Sequence, residues 1–503
     1  MQTKRDQVQA HMFVMGRLTS SMLRADPDAP ESPQGRTNRG TAIGALIAVV
    51  ICAGAFVFGL IKPGTTDSWR TSGALVVNRD TGSRYLYLDG RLRPVYNYAS
   101  ARLLAGPDLK TTTVGGRSLR GTPLGPPVGV PGAPDTLPSP GDLVSDAWLV
   151  CSRPADTPPG TDDGTDGARP RTATVLAVGT GQDGQAPDDG RGLLVRGPDG
   201  TAHLVWRGSR LRLDTASRAA TSLGYASTAP LDVSAAFLSA LPAGPDLKAA
   251  PVPGRGGTGP NLGGRPTRIG QLFKVAVPGS TPRLHLLRQD GLVPLTDTAA
   301  ALLLGDPATR RDAYDGGTAL VRRLGPDALD GNLATGAPAA GLGAGLPPSP
   351  PRVTGVPANR MPCAQVSPGA DGTRVAVTLV ARDGLGPAAQ PPAEHRAPAC
   401  LPVDEIVVPP GRGALVRVLG AAGTELGATT YLVTDTGMKY GVPRPEDLAA
   451  LGHSEAAATA LPSLLLSMLP TGPDLGVESA ATGQPTTTTP KCSGTRRVEG
   501  KAP

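Results

Sequence analysis

The residue types that carry enzyme chemistry are few in this sequence, and their spacing fits no known reaction. The chain beyond residue 62 holds four histidines, His203, His285, His395 and His453, and none is paired at metal-ligand spacing. Neither the H-E-x-x-H motif of metalloproteases nor the G-x-S-x-G turn of serine hydrolases occurs. We therefore expect no catalytic residue, no metal and no cofactor.

Three other patterns resemble binding sites only in part. "GRGGTGPN" (254–261) has the glycines of a phosphate-binding loop but lacks its Lys and hydroxyl, which predicts a flexible loop. "PADTPPGTDDGTDG" (154–167) clusters carboxylates without the closing Glu of a calcium loop, which favours a solvated linker. Asp108, Asp246 and Asp474 each lie in a "GPDL" stretch, where Asp is expected as a turn or cap residue.

One segment has the length and composition of a membrane span. Residues 41–62, "TAIGALIAVVICAGAFVFGLIK", include twenty uncharged residues from Ala42 to Ile61. As a helix they would cover about 30 Å, the thickness of the hydrocarbon core. Basic residues are more frequent before the span than just after it, so the positive-inside rule places the N-terminus in the cytoplasm. We predict a single-pass protein of the cell membrane, with most of the chain exported.

Composition limits what the exported part can be. The chain has 503 residues, of which 3% are aromatic, and it contains 67 Gly and 54 Pro, a share typical of proteins rich in turns and linkers. The net charge of +7 comes from scattered basic residues with few aromatics between them, which argues against a nucleic-acid partner.

The exported part repeats one pattern four times. Each copy has short β-strands joined by turns and then a helix that stops at Gly-Pro or a similar pair, as in "LLAGPDLK" (103–110) and "LPAGPDLK" (241–248). In the first copy the strands are predicted near 74–77, 85–88 and 93–96, with a hairpin turn at Asp89-Gly90. Copies one and three are short, and copies two and four are long. The predicted repeats span residues 70–110, 191–250, 268–310 and 407–478.

Strand-like runs between the repeats predict a shared core. The first core segment spans 142–180, and the second core segment, with a linker, spans 318–400. Gly- and Pro-rich linkers are predicted at 111–142, 153–171 and 336–351, and a disordered tail at 479–503. The order short repeat, core strands, long repeat occurs twice. The predicted fold is α+β, with four small β-rich repeats around a central β core and a pseudo-two-fold duplication.

The exported cysteines are even in number, as expected where disulfides persist. Their count alone allows three pairings. Cys151 and Cys363 occupy equivalent places in the two halves, and a pseudo-two-fold axis would bring them together, so we expect them to be bonded. Cys400 and Cys492 then pair by elimination. The alternative is that Cys492, in a polar tail, stays a free thiol.

The cytoplasmic arm, residues 1–40, is predicted to form an apolar helix that ends before "ADPDAP". No other cytoplasmic segment of this chain could cover it, so a partner protein is expected, with the inner membrane leaflet as the alternative. The residues expected to bind that partner are Val8, Met12, Phe13, Met15, Leu18 and Met22.

The arm "TKRDQVQAHMFVMGRL", the single span, the four repeats and "VVPPGRGALVRVL" (407–419) together resemble the EccB family. These proteins are membrane components of type VII (ESX) secretion systems. The resemblance covers nearly the whole chain. It implies an elongated exported body held by one core disulfide, for which Cys151 and Cys363 match, whereas Cys400 and Cys492 are additional to the family pattern.

The resemblance also implies partners and a function. The expected partners are EccC-, EccD- and EccE-like subunits, further copies of this chain and membrane lipid. The expected role is a structural subunit that stabilises or extends the secretion machinery outside the cytoplasm. One alternative is a cell-wall (peptidoglycan)-binding membrane protein, which the scarcity of tryptophan disfavours. A second is an ATPase, a label that some family members carry, and only then would ATP be a ligand. The sequence leaves enzymatic activity open, leaning against it.

Overall fold

The structure is a computed structural model. It describes residues 3–24, 33–61, 67–155, 171–181, 184–335, 342–369, 372–392, 394–420, 423–487 and 492. Contacts within the chain divide it into two compact units. Unit 1 comprises residues 1–92 and 110–124, and unit 2 comprises residues 93–109 and 125–503.

Unit 1 begins with two helices, α1 (Lys4–Arg24) and α2 (Pro33–Ile61). Within α2, the segment Thr37–Phe58 is the one stretch of the described residues that is long and apolar enough to cross a membrane. Its side chains are exposed, as expected for a segment that lipid would surround. As far as residue 61, where the described residues end, the predicted span lies inside a helix that starts earlier than the apolar run.

Repeat 1 and the first core strands follow. The elements of repeat 1 are β1 (Leu75–Asn78), β2 (Arg84–Leu88), β3 (Arg91–Pro94), α3 (Tyr98–Ala105), β4 (Thr111–Val114) and α4 (Gly116–Leu119). The core strands are β5 (Trp148–Pro154) and β6 (Thr172–Ala177). Asp89 and Gly90, between β2 and β3, have φ of 51° and 72°, the left-handed conformation that a two-residue hairpin turn of type I′ requires. The turn predicted there is confirmed.

Repeats 2 and 3 come next in the chain. Repeat 2 contains β7 (Arg191–Arg196), β8 (Ala202–Trp206), β9 (Ser209–Arg212), α5 (Ala219–Ser222), β10 (Leu231–Asp232) and α6 (Ala235–Ala240). Repeat 3 contains β11 (Leu272–Val275), β12 (Arg283–Arg288), β13 (Gly291–Leu295), α7 (Asp297–Gly305), α8 (Pro307–Ala313), β14 (Val321–Leu324) and a 3₁₀ turn at Pro326–Leu329.

The rest of the core and repeat 4 complete unit 2. The short strand β15 (Arg352–Val353) is followed by the core strands β16 (Arg360–Ser367), β17 (Arg374–Ala381) and β18 (Glu405–Val407). Repeat 4 contains β19 (Ala414–Leu419), β20 (Thr430–Val433), β21 (Lys439–Val442), α9 (Pro445–Ala450), β22 (Thr459–Pro462) and α10 (Ser463–Ser467). A last helix, α11, spans Val477–Thr482.

All four repeats share one topology. Three antiparallel strands are followed by a helix, which returns the chain to the far side of the first strand, where a fourth strand pairs with it in parallel. A parallel pair needs such a crossover connection, so the helix is part of the sheet's construction. A second short helix or 3₁₀ turn comes after the fourth strand. In repeat 2, β15 also pairs with β7.

The short repeats extend further in the structure than the predicted bounds 70–110 and 268–310, because β4 and β14 complete their sheets. In repeat 1, "GPDL" (106–109) follows the first helix, whereas in repeats 2 and 4 it follows the second helix. The counterpart of these later copies in repeat 1 is Gly125–Val128, because equivalent backbone hydrogen bonds join the N–H of Val128 to Pro94 O (2.8 Å) and that of Leu247 to Arg212 O (2.7 Å). A Gly-Pro pair ends a helix wherever it occurs, so "GPDL" lies at two different places in the repeat.

Three boundaries change as a result. The predicted linker 111–142 contains β4 and α4, with Val114 and Val130 fully or almost fully buried. Strand β14 pairs with β11, so it belongs to repeat 3 rather than to the second core segment. The predicted disordered tail begins with residues of α11, where Ala480 is buried, because this helix packs on α3.

The core is a five-stranded sheet with the order β17-β16-β5-β6-β18. Its central strands, β5 and β16, come from different halves of the chain and are antiparallel. If the two halves of the chain are exchanged, β5 takes the place of β16 and β6 takes the place of β17. The order β17-β16-β5-β6 then reads the same from the opposite edge of the sheet. The first helices obey the same exchange, since α3 of repeat 1 packs on α9 of repeat 4 and α7 of repeat 3 packs on α5 of repeat 2. These relations support the predicted pseudo-two-fold duplication.

Candidate functional site: the cross-linked core and the exposed arm

The centre of unit 2 is a buried disulfide. Cys151 of β5 and Cys363 of β16 lie directly opposite each other in the strand register, with their sulfur atoms 2.05 Å apart. Both side chains have no exposed surface. They lie in an apolar cluster that includes Leu149, Met361 and Val380. The bond joins the two halves of the chain at their shared sheet.

This bond links residues 212 positions apart. Closing so long a loop restricts the unfolded chain strongly, which stabilises the fold by about 2–5 kcal/mol. On its two faces the core sheet meets different apolar clusters, and the largest of them also includes residues of repeats 2 and 4, such as Phe237 and Leu465. The disulfide therefore holds together the sheet on which both long repeats are packed.

The second disulfide has a different environment. Cys400 is bonded to Cys492 over a sequence separation of 92 residues, and both residues are exposed. Cys52 is the one cysteine without a bond, and it lies in α2. The structure therefore contains both of the pairs expected from the sequence.

The arm residues lie on α1, where their side chains are between 48% and 79% exposed. Met15, Met12 and Val8 form one face of the helix, as the spacing predicts. At 100° per residue, Phe13 lies roughly 160° round the helix from Met15, on the other side. Apolar residues thus occupy opposite sides of α1. A single flat surface could not cover both sides of the helix. Binding by this arm stays a prediction.

The histidines do not form a site. His395 is exposed, whereas His203 is half-buried and His285 and His453 are buried. Burial lowers the pKa of His203, His285 and His453 below the ordinary value, so these three rings are neutral near pH 7. Among the described residues, no group of three or more His, Cys, Asp or Glu could hold a metal ion.

The glycine stretch 254–261 is an ordered turn, contrary to the flexible loop expected from its sequence. The N–H groups of Gly256 and Gly259 donate to the carbonyl oxygens of Ile269 (2.9 Å) and Thr267 (2.8 Å). The guanidinium of Arg255 is 2.5 Å from the carboxylate of Asp306. A phosphate cradle needs free N–H groups pointing at the ligand, and these N–H groups are already bonded within the protein.

The three aspartates of the "GPDL" stretches have different surroundings. Asp246 forms two hydrogen bonds with the guanidinium of Arg212, which lower the pKa of its carboxyl. Asp108 is exposed, and the backbone N–H of the buried Asp474 donates to Thr486 O (2.9 Å). Most of the acidic stretch 154–167 lies outside the described residues.

The tryptophans do not offer open faces for stacking on sugars. Trp69 and Trp148 are buried. Trp206 is partly covered by the guanidinium of Arg207, 4.8 Å from the ring centre, and its indole N–H donates to Asp189 O (2.8 Å).

One buried charge has no signal in the sequence. Lys439 on β21 is 4% exposed, and its ammonium donates to the carbonyl oxygens of Leu466 and Leu469 at the end of α10. Burial lowers the pKa of Lys439 to about 8. The carbonyl oxygen of Leu466 also accepts from the N–H of Leu469 (3.2 Å), and the buried cation adds its hydrogen bonds at this end of the helix. Nothing in "DTGMKYGV" indicates that this lysine points inward.

These features define a class: a protein with one potential membrane-spanning helix and a large duplicated body of β-rich repeats, cross-linked at its centre. The chain matches the family described as type VII secretion system ESX-1, transport TM domain B, over residues 1–489, and it belongs to that family.

Two relatives show how closely the chain follows the family. It is 31% identical to the ESX-3 secretion system ATPase EccB3 of Mycolicibacterium smegmatis, over 94% of this chain and 89% of that protein. It is 29% identical to the ESX-2 secretion system ATPase EccB2 of Mycobacterium tuberculosis, over 97% of this chain and 96% of that protein.

Solved structures show the same fold. The EccB3 dimer from the ESX-3 core complex matches with a TM-score of 0.62 and 25% identity, over 81% of this chain and 99% of that one. A chain of an intact ESX-5 inner membrane complex matches with a TM-score of 0.63 and 24% identity, over 98% of this chain and 97% of that one. The α+β repeat fold is thus confirmed, and so is the resemblance to EccB proteins.

Proposed function

We propose that this protein is a structural subunit of a type VII (ESX) secretion complex in the cell membrane, which it stabilises on the extracytoplasmic side. The observation that carries the proposal is the match to the transport-subunit family along 1–489, together with a body built around a buried cross-link. The related structures come from inner membrane complexes, which supports a role as a component of such an assembly.

In this proposal α2 crosses the membrane once, with α1 in the cytoplasm and the repeats outside. The excess of basic residues before the span supports this orientation. The two-sided apolar helix α1 binds the other membrane subunits, of the EccC, EccD and EccE kinds, and further copies of the chain associate within the complex. A relative that forms a dimer supports the last point.

ATP hydrolysis is the second candidate, because relatives carry the name ATPase. The bonded N–H groups of the turn at 254–261 argue against a nucleotide there. Purified full-length protein is expected to hydrolyse no ATP above the level of a mock preparation. Turnover that copurifies with the chain and is lost through a point substitution in it would establish the alternative.

Substitutions in α1 test the role of the arm. We expect Met12→Asp with Met15→Asp to abolish co-purification of the other membrane subunits from the native host, since each adds a charge to the apolar face. Gln7→Asp with Gln9→Asp adds the same charge to polar, exposed positions of the same helix and should leave co-purification intact. The readout is mass spectrometry of the tagged chain's partners after detergent extraction. Equal recovery of partners with both pairs would refute the proposed contact.

A further inference from the structure

The two disulfides differ completely in their accessibility to a reductant. The sulfur atoms of Cys151 and Cys363 lie in a sheet interior with no exposed surface, whereas Cys400 and Cys492 are both exposed. Thiol–disulfide exchange requires a thiolate to reach one sulfur atom of the bond. The exposed bond between Cys400 and Cys492, here called the outer pair, can therefore react in the folded protein. The buried bond between Cys151 and Cys363, the inner pair, can react only after the core opens.

The outer pair joins two segments that lie beside repeat 4. Cys400 lies in a loop that is fixed on both sides, since Ala397 exchanges two backbone hydrogen bonds with Thr471 (2.8 and 2.9 Å) and the N–H of Leu401 donates to Ser467 O (2.9 Å). These hydrogen bonds hold the loop that carries Cys400 against repeat 4. Cys492 follows the segment that runs from α11 to residue 487, which we call the C-terminal arm (477–487).

Within unit 2, the C-terminal arm contacts both α3 and repeat 4. On the repeat 1 side, α11 packs on α3, and the carbonyl oxygen of Ala480 accepts from the N–H of Gly129 (2.9 Å). On the repeat 4 side, the N–H of Val477 donates to Asp447 Oδ1 (2.9 Å). A tether at Cys492 limits how far this segment can move away once these contacts break, because it raises the effective concentration of the arm at its docking site.

We propose that Cys400–Cys492 is a redox clasp, which an extracytoplasmic dithiol opens to loosen the C-terminal arm from α3 while the core disulfide stays intact. One thiolate of the dithiol attacks a sulfur atom of the clasp, which breaks the bond between Cys400 and Cys492, releases the other cysteine as a thiolate and forms a mixed disulfide. Its second thiol then displaces the protein thiol, so the dithiol becomes a disulfide and gives two electrons and two protons to the cysteines. The products are the free thiols of Cys400 and Cys492.

The first experiment measures which bond is reduced. Full-length protein in detergent, with Cys52 alkylated beforehand, is exposed to graded dithiothreitol without denaturant, and new thiols are trapped with a second alkylating reagent and mapped by mass spectrometry. We expect Cys400 and Cys492 to be labelled at least about 100-fold faster than Cys151 and Cys363, since the core must open first. Comparable rates for the two pairs, or a free Cys492 before reduction, would overturn the proposal.

The second experiment measures the consequence by hydrogen exchange. Reduction should accelerate the exchange of amides in 477–487 by about tenfold or more, and leave those of β16 unchanged. The double variant Cys400→Ser with Cys492→Ser should exchange fast with or without reductant. If reduction breaks the outer bond and the exchange of 477–487 stays the same, the bond holds nothing in place and the clasp is refuted.

Discussion

At the scale of single residues, Tyr225 of repeat 2 and His453 of repeat 4 occupy equivalent positions in their repeats. Each follows a glycine of positive φ, Gly452 (89°) and Gly224 (81°), after the first helix of its repeat. The hydroxyl of Tyr225 donates to Pro351 O (2.8 Å), so this buried group is satisfied. His453 is equally buried, yet neither of its ring nitrogens has a hydrogen-bond partner among the described residues.

A buried ring of this kind makes stability depend on pH. Burial, and then the positive charge of Arg102, lower the pKa of His453 below the ordinary 6.5. The unfolded chain therefore binds a proton at a higher pH than the folded chain does. The contribution of the neutral His453 ring to stability is fully present above pH 6.5. It is lost as the pH falls toward the lowered pKa of the folded state.

We expect His453→Phe to reduce this acid sensitivity. The free energy of unfolding of the full chain should fall between about pH 7.5 and about pH 5.5, and it should fall less in the variant, because one protonation is removed. Urea unfolding in detergent at a series of pH values measures it. His203 and His285 have lowered pKa values too, so some slope should remain. Identical slopes for the two proteins would show that His453 contributes nothing.

Residues differ in how far sequence alone could place them. The bond between Cys151 and Cys363 could be predicted, because a duplicated order assigns both cysteines the same place in their halves. The inward direction of Lys439 could not, since its two carbonyl partners belong to a helix end about 30 residues later in the chain. Long-range satisfaction of a polar group leaves no local pattern.

At the scale of elements, the helices of repeats 2 and 3 pack at short distance. In the pair α5–α7, a Cβ built on Gly305 would lie 1.9 Å from the hydroxyl oxygen of Ser222 and 2.5 Å from its Cβ. Real side chains do not approach so closely, so Gly305 is required for this packing. Repeat 2 and repeat 3 are thus matched in shape at one helix crossing.

We predict that Gly305→Ala destabilises the protein by about 1–3 kcal/mol, through overpacking at this crossing. Gly355→Ala is the control, since a Cβ there meets nothing within 4 Å. Ser222→Gly should restore part of the loss in the double variant. Thermal unfolding of the three variants measures these effects. A Gly305→Ala protein as stable as the control would mean that the two helices do not pack in this way.

Elements can be predicted well where turns are specific and poorly where strands are short and polar. The Asp-Gly hairpin of repeat 1 is visible in the sequence because its residues favour positive φ. Strand β4, "TTTV", resembles a linker, because three threonines between glycines and basic residues show no alternation of apolar and polar side chains. Its pairing partner, β1, lies more than 30 residues earlier, and tertiary pairing decides its structure.

At the scale of the whole molecule, the protein is a duplicated chain that is cross-linked between its halves. The buried or half-buried histidines and lysine with lowered pKa values lie in repeats 2, 3 and 4. The two halves are joined by matched helix contacts between repeats, by a sheet to which both contribute strands, and by the covalent bond at its centre. A cross-linked body of this kind fits the structural role proposed above.

The most direct test is to isolate the secretion complex from native membranes of a strain that lacks this chain, and to measure the mass of what remains by native mass spectrometry. We predict that the remaining membrane subunits separate into smaller particles and that secretion stops, with both effects reversed by the full-length chain. A complex that keeps its other subunits in their normal number, and continues to secrete, would contradict the account.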